Sequence, residues 1–406
     1  MANIIHGDCI EALAKMSDNS VDAIVTDPPY GLSFMGKKWD YDVPSVEIWR
    51  ECLRVLKPGG YLLSFAGTRT QHRMACNIED AGFEIRDMIA WVYGSGFPKS
   101  LSIGKAVDKI QGNEREYIGE KDNKGRASGV HGGGQNTSTK TDTITKGTSE
   151  FEGWGTALKP ALEPITVARK PIEKGLTVAE NCLKWGVGGI NIDGCRVGTD
   201  DVLSFGSRAL GDGIKYGKCN PTTDGIQHPQ GRFPANLIHD GSQEVLELFP
   251  NSKSTNSIRH NNKTIGGNGK YQGGVGMDTF GHADSGSAAR FFYCAKASKA
   301  ERNRGCEGLE EKQKIFNGQS GKSSKDMKGV EQKFTTQPAN NNHPTVKPIA
   351  LMEYLVKLVS REGQTVLDPF AGSGTTGVAC KNLNRNAILI EREAEYIEIA
   401  KCRMAV

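Results

Sequence analysis

The most constraining feature of this sequence is a glycine-rich turn near its end, Gly-Ser-Gly-Thr-Thr-Gly at residues 372–377. The turn follows a short strand-like stretch at 364–367 and opens a stretch with helical spacing at 375–382. Glycines let a backbone turn tightly and approach a bound molecule closely. Glu391 ends the next predicted strand, where a carboxylate can accept hydrogen bonds from both hydroxyls of a ribose. The pattern predicts a nucleotide-like ligand at the edge of a parallel sheet.

Strands and helices alternate at both ends of the chain, which is typical of a doubly wound α/β sheet with helices on both faces. The middle lacks this rhythm. A Gly-, Ser- and Thr-rich stretch at 111–153 predicts a loop, and residues 172–342 show only short ordered pieces. Strands are predicted at residues 21–26, 61–65, 83–93, 163–169, 364–367 and 386–390, and helices at 11–16, 48–56, 71–81, 349–359, 375–382 and 394–403.

A second motif, Asp27-Pro28-Pro29-Tyr30, closes the predicted strand at 21–26. Proline cannot continue a central strand, so the chain turns here and leaves two backbone nitrogens without a hydrogen. Carbonyl oxygens and the Asp27 carboxylate can then act together as acceptors for a neutral amino group. Tyr30 supplies a flat face on which a base can stack. An ordinary Pro-Pro turn with a core tyrosine is the alternative interpretation.

Composition excludes several other classes of protein. The ten cysteines form no Cys-x-x-Cys pair, so no zinc or redox site is indicated. The sequence shows no signal peptide and no apolar run long enough to span a bilayer, so we expect a cytoplasmic protein. The net charge of +4 is mild, but residues 251–345 hold 15 Lys or Arg against 8 Asp or Glu. This basic stretch predicts either a solvated segment or a surface for a phosphate backbone.

Taken together, Asp27-Pro28-Pro29-Tyr30 and the Asp-Pro-Phe-Ala-Gly-Ser-Gly-Thr-Thr run at 368–376 resemble the β class of DNA amino-methyltransferases. The tetrapeptide comes before the glycine turn, as in that class. The resemblance implies a Rossmann-like methyltransferase fold: a circularly permuted, doubly wound, mostly parallel seven-stranded sheet with an inserted target-recognition region. The segments implied are a catalytic half at 1–110, a flexible insertion at 111–156, a returning strand at 157–171, a target-recognition region at 172–342 and a cofactor half at 343–406.

The resemblance also implies roles for individual residues, with S-adenosyl-L-methionine as cofactor and no metal. Residues 90–100 resemble the loop beside a flipped base. The catalytic residues would be Asp27, Pro28, Pro29 and Tyr30. The cofactor-binding residues would be Asp8, Asp27, His343, Pro344, Thr345, Lys347, Asp368, Phe370, Ala371, Gly372, Ser373, Gly374, Thr375, Thr376, Glu391 and Arg392.

The function implied is methylation of adenine N6 in double-stranded DNA, by base flipping and direct transfer. Asp27, where other members have Ser, favours adenine over cytosine N4, which stays an alternative. The glycine turn alone would also suit a nucleotide-binding oxidoreductase, and the basic middle alone a non-catalytic DNA-binding module. The resemblance is compatible with a homodimer and with a restriction-modification system, and it leaves open whether a restriction nuclease accompanies the protein.

Overall fold

The structure is a computed structural model, and it describes residues 2–32, 40–94, 96, 100–121, 142–198, 204–205, 226–227, 231–253, 285–295, 300–311, 315–317, 333–335 and 340–406. Contacts divide the chain into two compact units. The first comprises Met1–Asn191, Asn236–Ser242 and Cys294–Val406, and the second comprises Ile192–Ala235 and Gln243–Tyr293.

Helices and strands alternate at both ends of the described chain, and short strands predominate between them. The strands are β1 (Ala2–His6), β2 (Val21–Thr26), β3 (Leu56–Phe65), β4 (Glu84–Val92), β5 (Glu116–Lys121), β6 (Asp142–Lys146), β7 (Leu162–Arg169), β8 (Ser204–Phe205), β9 (Ile226–Gln227), β10 (Leu237–His239), β11 (Asn251–Lys253), β12 (Ser285–Ser287), β13 (Tyr293–Cys294), β14 (Ile315–Asn317), β15 (Lys333–Thr335), β16 (Thr365–Asp368) and β17 (Asn386–Glu391). The α-helices are α1 (Cys9–Ala14), α2 (Val46–Val55), α3 (Gln71–Asp80), α4 (Ile103–Gln111), α5 (Val178–Trp185), α6 (Gln243–Leu246), α7 (Ile349–Val359), α8 (Thr375–Asn382) and α9 (Ala394–Ala405).

The main sheet has the strand order β1-β17-β16-β2-β3-β7-β4-β10-β13. From β1 to β3 neighbouring strands run parallel, and β7 lies antiparallel between β3 and β4. Its first seven strands confirm the predicted mostly parallel, doubly wound sheet. β10 and β13 extend it beyond β4, where no strand is predicted, because strands of three and two residues are too short to show a period of two.

Helices cover both faces of this sheet. On one face, the buried side chains of Leu13, Trp49 and Met74 from α1, α2 and α3 pack against Leu367 and Ile390. Helix α8 lies on the other face. In β17, Ile388 and Ile390 point to the first face, so Leu389 between them points to the opposite one. A side chain at Gly377 of α8 would touch Leu389. A sheet covered on both faces buries both sides of its central strands, and every residue of β2 is buried, including polar Asp22 and Thr26.

The boundary between α2 and β3 differs from the prediction. The run Lys57-Pro58-Gly59-Gly60 is predicted to stop a helix before a strand at 61–65, but β3 already begins at Leu56. Its pairing with β2 is irregular between Val21 and Ala23, which accommodates the proline and glycines in a bulge. A side chain at Gly60 would lie 2.9 Å from the Asp22 carbonyl oxygen, so the close approach of the two strands requires glycine there.

The insertion after β4 also differs from the expected loop. The described part of the expected loop at 111–153 contains the antiparallel pair β5 and β6, and α4 comes just before it; residues 122–141 lie outside the described residues. Arg115 holds these elements together, because its guanidinium bonds to buried Asp108 and lies 2.7 Å from Glu152. An ion network formed after folding leaves no periodic pattern in the sequence, so composition alone predicts a loop.

The second unit contains the pairs β8–β9 and β11–β12, and Arg232 stacks on the ring of Phe291 at 4.4 Å. Most of the basic stretch at 251–345 lies outside the described residues, so the structure does not test its predicted role. Within the described ranges, no helix has the length and apolar character needed to cross a bilayer.

Candidate active site

The two sequence motifs meet at the carboxyl ends of adjacent parallel strands. β2 runs into Asp27 and β16 runs into the glycine turn, and the two strands pair directly. Thr26 Oγ1 donates to Asp368 Oδ1 at 2.6 Å, which joins the two strand ends. In open α/β sheets, ligands bind at this edge. The tetrapeptide from the start of the chain and the glycine turn from its end therefore line one place.

Asp27 lies at the centre of a hydrogen-bonded cluster. Its Oδ1 accepts from the Tyr30 hydroxyl at 2.7 Å, and its Oδ2 accepts from Lys347 Nζ at 2.7 Å. Lys347 also donates to the Tyr30 hydroxyl at 3.1 Å. The Asp27 side chain is 21% exposed, whereas that of Lys347 is 8% exposed. A ligand can therefore reach Asp27, while the lysine that binds it is enclosed.

Glu163 on β7 is a member of this cluster that the sequence does not predict. Its Oε2 lies 3.1 Å from Lys347 Nζ and 3.1 Å from the Tyr30 hydroxyl. Tyr93 lies near Glu163 as well, close enough for the charge of Glu163 to act on its hydroxyl. Glu163 begins a predicted strand, and no motif surrounds it. Only the antiparallel position of β7 between β3 and β4 brings it to the site.

Burial and charge set the protonation of this cluster. Burial lowers the pKa of Lys347, but the nearby carboxylates of Asp27 and Glu163 outweigh it and leave that pKa raised. Burial, followed by the charge of Asp27, raises the pKa of Tyr30 well above its usual value. Burial and the charge of Glu163 raise the pKa of Tyr93 in the same direction. At neutral pH the lysine is charged and both phenols keep their protons.

The backbone around Tyr30 is fixed by side chains outside the motif. Thr70 Oγ1 donates to the Tyr30 carbonyl oxygen at 2.6 Å. The Asp40 carboxylate accepts from the backbone N–H groups of Tyr30 and Gly31, at 2.7 and 3.0 Å. The tetrapeptide is thus held in one conformation before any ligand binds.

The glycine turn needs glycine at two positions. Gly372 has φ of +52° and Gly374 has φ of +75°, both in the left-handed region. A side chain at Gly372 would begin 2.8 Å from His343 Nε2, and one at Gly374 would begin 2.7 Å from the Ala400 Cβ. The turn therefore lies against His343 on one side and α9 on the other.

Arg403 on α9 supports the turn from inside the protein. Its Nη1 donates to the Ser373 carbonyl oxygen at 2.9 Å, to Ser373 Oγ at 3.0 Å and to Thr375 Oγ1 at 2.8 Å. Burial lowers the pKa of Arg403 to about 10. Ser373 and Thr375 are predicted to bind cofactor, and in the structure both bond to this arginine. Nothing in the sequence marks Arg403 for that role.

Asp368 is predicted to bind cofactor, but in the structure its carboxylate accepts three hydrogen bonds from within the protein. In addition to the bond from Thr26, it accepts one from Thr376 Oγ1 at 2.5 Å and one from the Phe370 backbone N–H at 3.1 Å. Burial raises its pKa from 3.8 to about 6, although these three donors act in the opposite direction. Asp368 positions the turn, and the ring of Phe370 packs edge-on against Trp49 in the core.

Glu391 lies beyond the turn at the end of β17. Its Oε2 accepts from the Gly372 backbone N–H at 2.7 Å, and its Oε1 accepts from the Glu393 backbone N–H at 2.8 Å. Burial raises the pKa of Glu391, and these backbone donors partly oppose the rise. A carboxylate has about four acceptor positions, so two are left for further donors such as the hydroxyls of a ribose.

The remaining predicted residues surround this centre. His343 Nδ1 donates to the Thr345 carbonyl oxygen, and its ring packs edge-on against Tyr396. Pro344 and Ala371 are buried. Asp8 caps α1 by accepting from the Ile10 backbone N–H at 2.9 Å, and Gly7 beside it bonds to the Glu391 carbonyl oxygen.

Two predicted regions lie at the margin of the described site. Arg392 turns its exposed side chain to Glu393, 3.3 Å away. In the loop expected beside a flipped base, residues 95 and 97–99 lie outside the described residues.

Comparison with known proteins gives a match over most of the chain. The model of the N6/N4 methyltransferase family, described as DNA methylase, matches residues 21–402. This range includes both motifs, Glu163 and the inserted middle.

Two curated relatives match a shorter stretch of 62 residues. The type II methyltransferase M.HpaI of Haemophilus parainfluenzae is 55% identical there, over 15% of this chain and 20% of its own length. The type II methyltransferase M2.DpnII of Streptococcus pneumoniae is 50% identical, over 15% of this chain and 23% of its own length. The chain thus spans only about a fifth of the length of the curated relatives it matches.

Solved structures resemble the chain at low identity. A complex of M1.HpyAVI with SAM is 18% identical, with 100% of both chains covered and a TM-score of 0.39. PvuII DNA methyltransferase, described as cytosine-N4-specific, is 13% identical, with 99% of this chain and 86% of that chain covered and a TM-score of 0.43. On the match of the family model from residue 21 to residue 402, the chain belongs to the N6/N4 DNA methylase family.

Proposed function

We propose that the chain transfers the methyl group of S-adenosyl-L-methionine to the N6 amino group of adenine in duplex DNA. The observation that carries this proposal is the 2.6 Å bond from Thr26 to Asp368, which brings the acceptor cluster of Asp27 next to the glycine turn. A methyl donor and an amino group have to meet at one point, and this edge of the sheet is where the two motifs meet.

The residues around the glycine turn suit S-adenosyl-L-methionine. Glu391 keeps acceptor positions for the two hydroxyls of its ribose. Gly372 has a left-handed backbone and is only partly buried, so it presents main chain without a side chain, to which an amino acid can bind closely. When bound, the cofactor would supply a methyl group on a positively charged sulfur, which keeps the electron pair of the broken carbon–sulfur bond.

Asp27 would prepare the amino nitrogen for attack. The lone pair of an exocyclic amino group is delocalised into the base, so the nitrogen is a weak nucleophile. If the Asp27 carboxylate and the Pro28 carbonyl oxygen accept its two N–H bonds, the nitrogen becomes pyramidal and its lone pair is free to form the new bond. The methylated nitrogen then carries one proton too many, which Asp27 accepts and passes to solvent through its exposed side.

The target base would leave the DNA duplex to reach this site, because its amino group is not accessible to Asp27 while the base is stacked and paired. Tyr30 lies three residues after Asp27 and offers an aromatic ring for such a base. The resemblance supports adenine as the base, because Asp27 stands at the first motif position where other members of the family have Ser.

The proposal is tested by incubating the protein with tritiated S-adenosyl-L-methionine and long unmethylated duplex DNA of mixed sequence. The DNA is then digested to nucleosides, which are identified by mass spectrometry. N6-methyladenine is the expected product. N4-methylcytosine would overturn the choice of base, and DNA without label would overturn the proposed activity.

A variant separates chemistry from binding. Asp27→Ala should reduce transfer below detection while calorimetry shows binding of S-adenosylhomocysteine within a few-fold of wild type. Asp18→Ala serves as the matched control, because this exposed aspartate pairs with Arg54 away from the cluster. Near-normal turnover of Asp27→Ala would contradict the assigned role.

A further inference from the structure

The cluster around Asp27 holds more negative than positive charge. Two carboxylates, Asp27 and Glu163, share the single ammonium of Lys347, at 2.7 and 3.1 Å. With both carboxylates ionised, the three groups together carry one negative charge. Without Glu163, Lys347 would neutralise Asp27, and the two remaining groups would carry no net charge.

The groups that face Lys347 come from several strands, and the described ones leave this balance intact. Tyr30 and Tyr93 are neutral at physiological pH, because burial raises the pKa of each. The rings of Phe65 and Tyr30 lie 4.7 and 5.4 Å from Lys347 Nζ, where their π faces favour a cation. Charges in such an enclosed place act strongly on each other, since little water screens them.

A net negative charge is what the proposed reaction requires at this point. The amino nitrogen gains positive charge as its lone pair forms the new bond, and a fixed opposite charge stabilises that state. A neutral Asp27–Lys347 pair would present a dipole instead of a charge. The lysine would also compete with the amino group for Asp27 Oδ2, to which it already donates.

We propose that Glu163 is a positioning residue for methyl transfer: by binding Lys347 and the Tyr30 hydroxyl, it leaves the excess negative charge of the cluster on Asp27, where the amino group is held. This inference rests on the proposed function of the same site. Glu163 acts through Lys347 and Tyr30, its two neighbours at 3.1 Å.

The test compares Glu163→Gln with wild type in steady-state methyl transfer. Gln keeps the size and an acceptor oxygen for the Tyr30 hydroxyl but removes the charge. We expect kcat to fall about 10- to 100-fold, with little change in KM for the cofactor. Glu163→Asp, which keeps the charge, should retain more activity than Glu163→Gln.

The pH dependence distinguishes this role from a structural one. Loss of Glu163 removes one of the two carboxylates that raise the pKa of Lys347, so in Glu163→Gln this lysine should release its proton at lower pH than in wild type. Its deprotonation restores one net negative charge to the cluster. The kcat of Glu163→Gln should therefore recover as pH rises, and wild type should show no such gain.

A double variant tests the charge balance directly. Glu163→Gln combined with Lys347→Met again leaves Asp27 with an unopposed negative charge, so its kcat should exceed that of Glu163→Gln alone. The inference would be overturned if Glu163→Gln lowered kcat equally at every pH and the double variant lowered it further. It would also be overturned if Glu163→Gln kept the kcat of wild type.

A measurement without turnover separates this inference from the proposed function. In protein labelled with ¹⁵N at lysine side chains, NMR follows the ammonium of Lys347, assigned through Lys347→Arg. Its titration should move to lower pH in Glu163→Gln. If wild type methylates no DNA, the proposed function fails, and an unmoved titration overturns the inference in either case.

Discussion

Thr26 donates a 2.6 Å hydrogen bond to Asp368, a residue 342 positions further along the chain. Thr26 is the last residue of β2 and Asp368 the last of β16, and both are buried. The bond fixes the distance between the acceptor cluster and the glycine turn.

Replacing Thr26 by Val should therefore weaken both the fold and the site. Val keeps the shape but cannot donate, so buried Asp368 loses one of its three partners. A hydrogen bond to a carboxylate contributes about 1.5–3 kcal/mol, and the free energy of unfolding in urea should fall by that amount. Thr26→Ser keeps the hydroxyl and should stay closer to wild type. Equal stability of Thr26→Val and wild type would show that the bond contributes nothing.

Asp368 should make stability depend on pH in an unusual direction. Its pKa is about 6 in the folded protein and 3.8 as a free side chain. Between these values the unfolded chain has released the proton that the folded protein still holds. The contribution of Asp368 to the free energy of unfolding is therefore fully present below pH 3.8 and is lost as pH rises to about 6. This contribution amounts to about 3 kcal/mol.

The test for Asp368 is the difference between wild type and Asp368→Asn in urea unfolding at pH 4, 5, 6 and 7. Asn cannot titrate, so its curve should lack this fall, while other groups contribute equally to both proteins. A constant difference across the series would contradict a raised pKa at Asp368.

Gly374→Ala should disrupt the turn for two separable reasons. The backbone at Gly374 is left-handed, and a side chain there meets Ala400 at 2.7 Å. Gly363 has a similar φ of +77° and open space around it. Gly363→Ala should cost about 1–2 kcal/mol of unfolding free energy from backbone strain alone. Gly374→Ala should cost about 1–3 kcal/mol more, from overpacking, and should weaken binding of S-adenosylhomocysteine in calorimetry. Equal losses in the two variants would contradict the close contact with α9.

Arg403→Met should weaken cofactor binding although Arg403 is buried behind the turn. The change removes three hydrogen bonds to Ser373 and Thr375, so the turn is no longer held in one conformation. We expect the Kd for S-adenosylhomocysteine to rise about tenfold. Lys401→Met on the same helix removes only an exposed pair with Glu398 and should bind like wild type. An unchanged Kd in Arg403→Met would show that the turn keeps its form unaided.

The parts of the site that the sequence predicts are those marked by proline and glycine. Asp27-Pro28-Pro29-Tyr30 and the turn at 372–377 lie where strands end, and backbone constraints there leave a local pattern. Lys347 could be predicted near the site by resemblance, but its bond to Asp27 could not. Glu163 lies in a strand whose place in the sheet depends on pairing with β3 and β4. Such partners are chosen by the whole fold and leave no trace in the neighbouring residues.

Parallel strands that are distant in sequence lie side by side in the half of the sheet from β1 to β2. β1 pairs with β17, and β2 pairs with β16 on one side and β3 on the other, so β1 and one edge of β2 have no neighbour until residues 365–391 have been synthesised. Contacts between such distant positions make folding slow and leave an unpaired edge exposed on a growing chain. A ribosome making this protein would therefore carry an aggregation-prone intermediate until residues 365–391 have been translated.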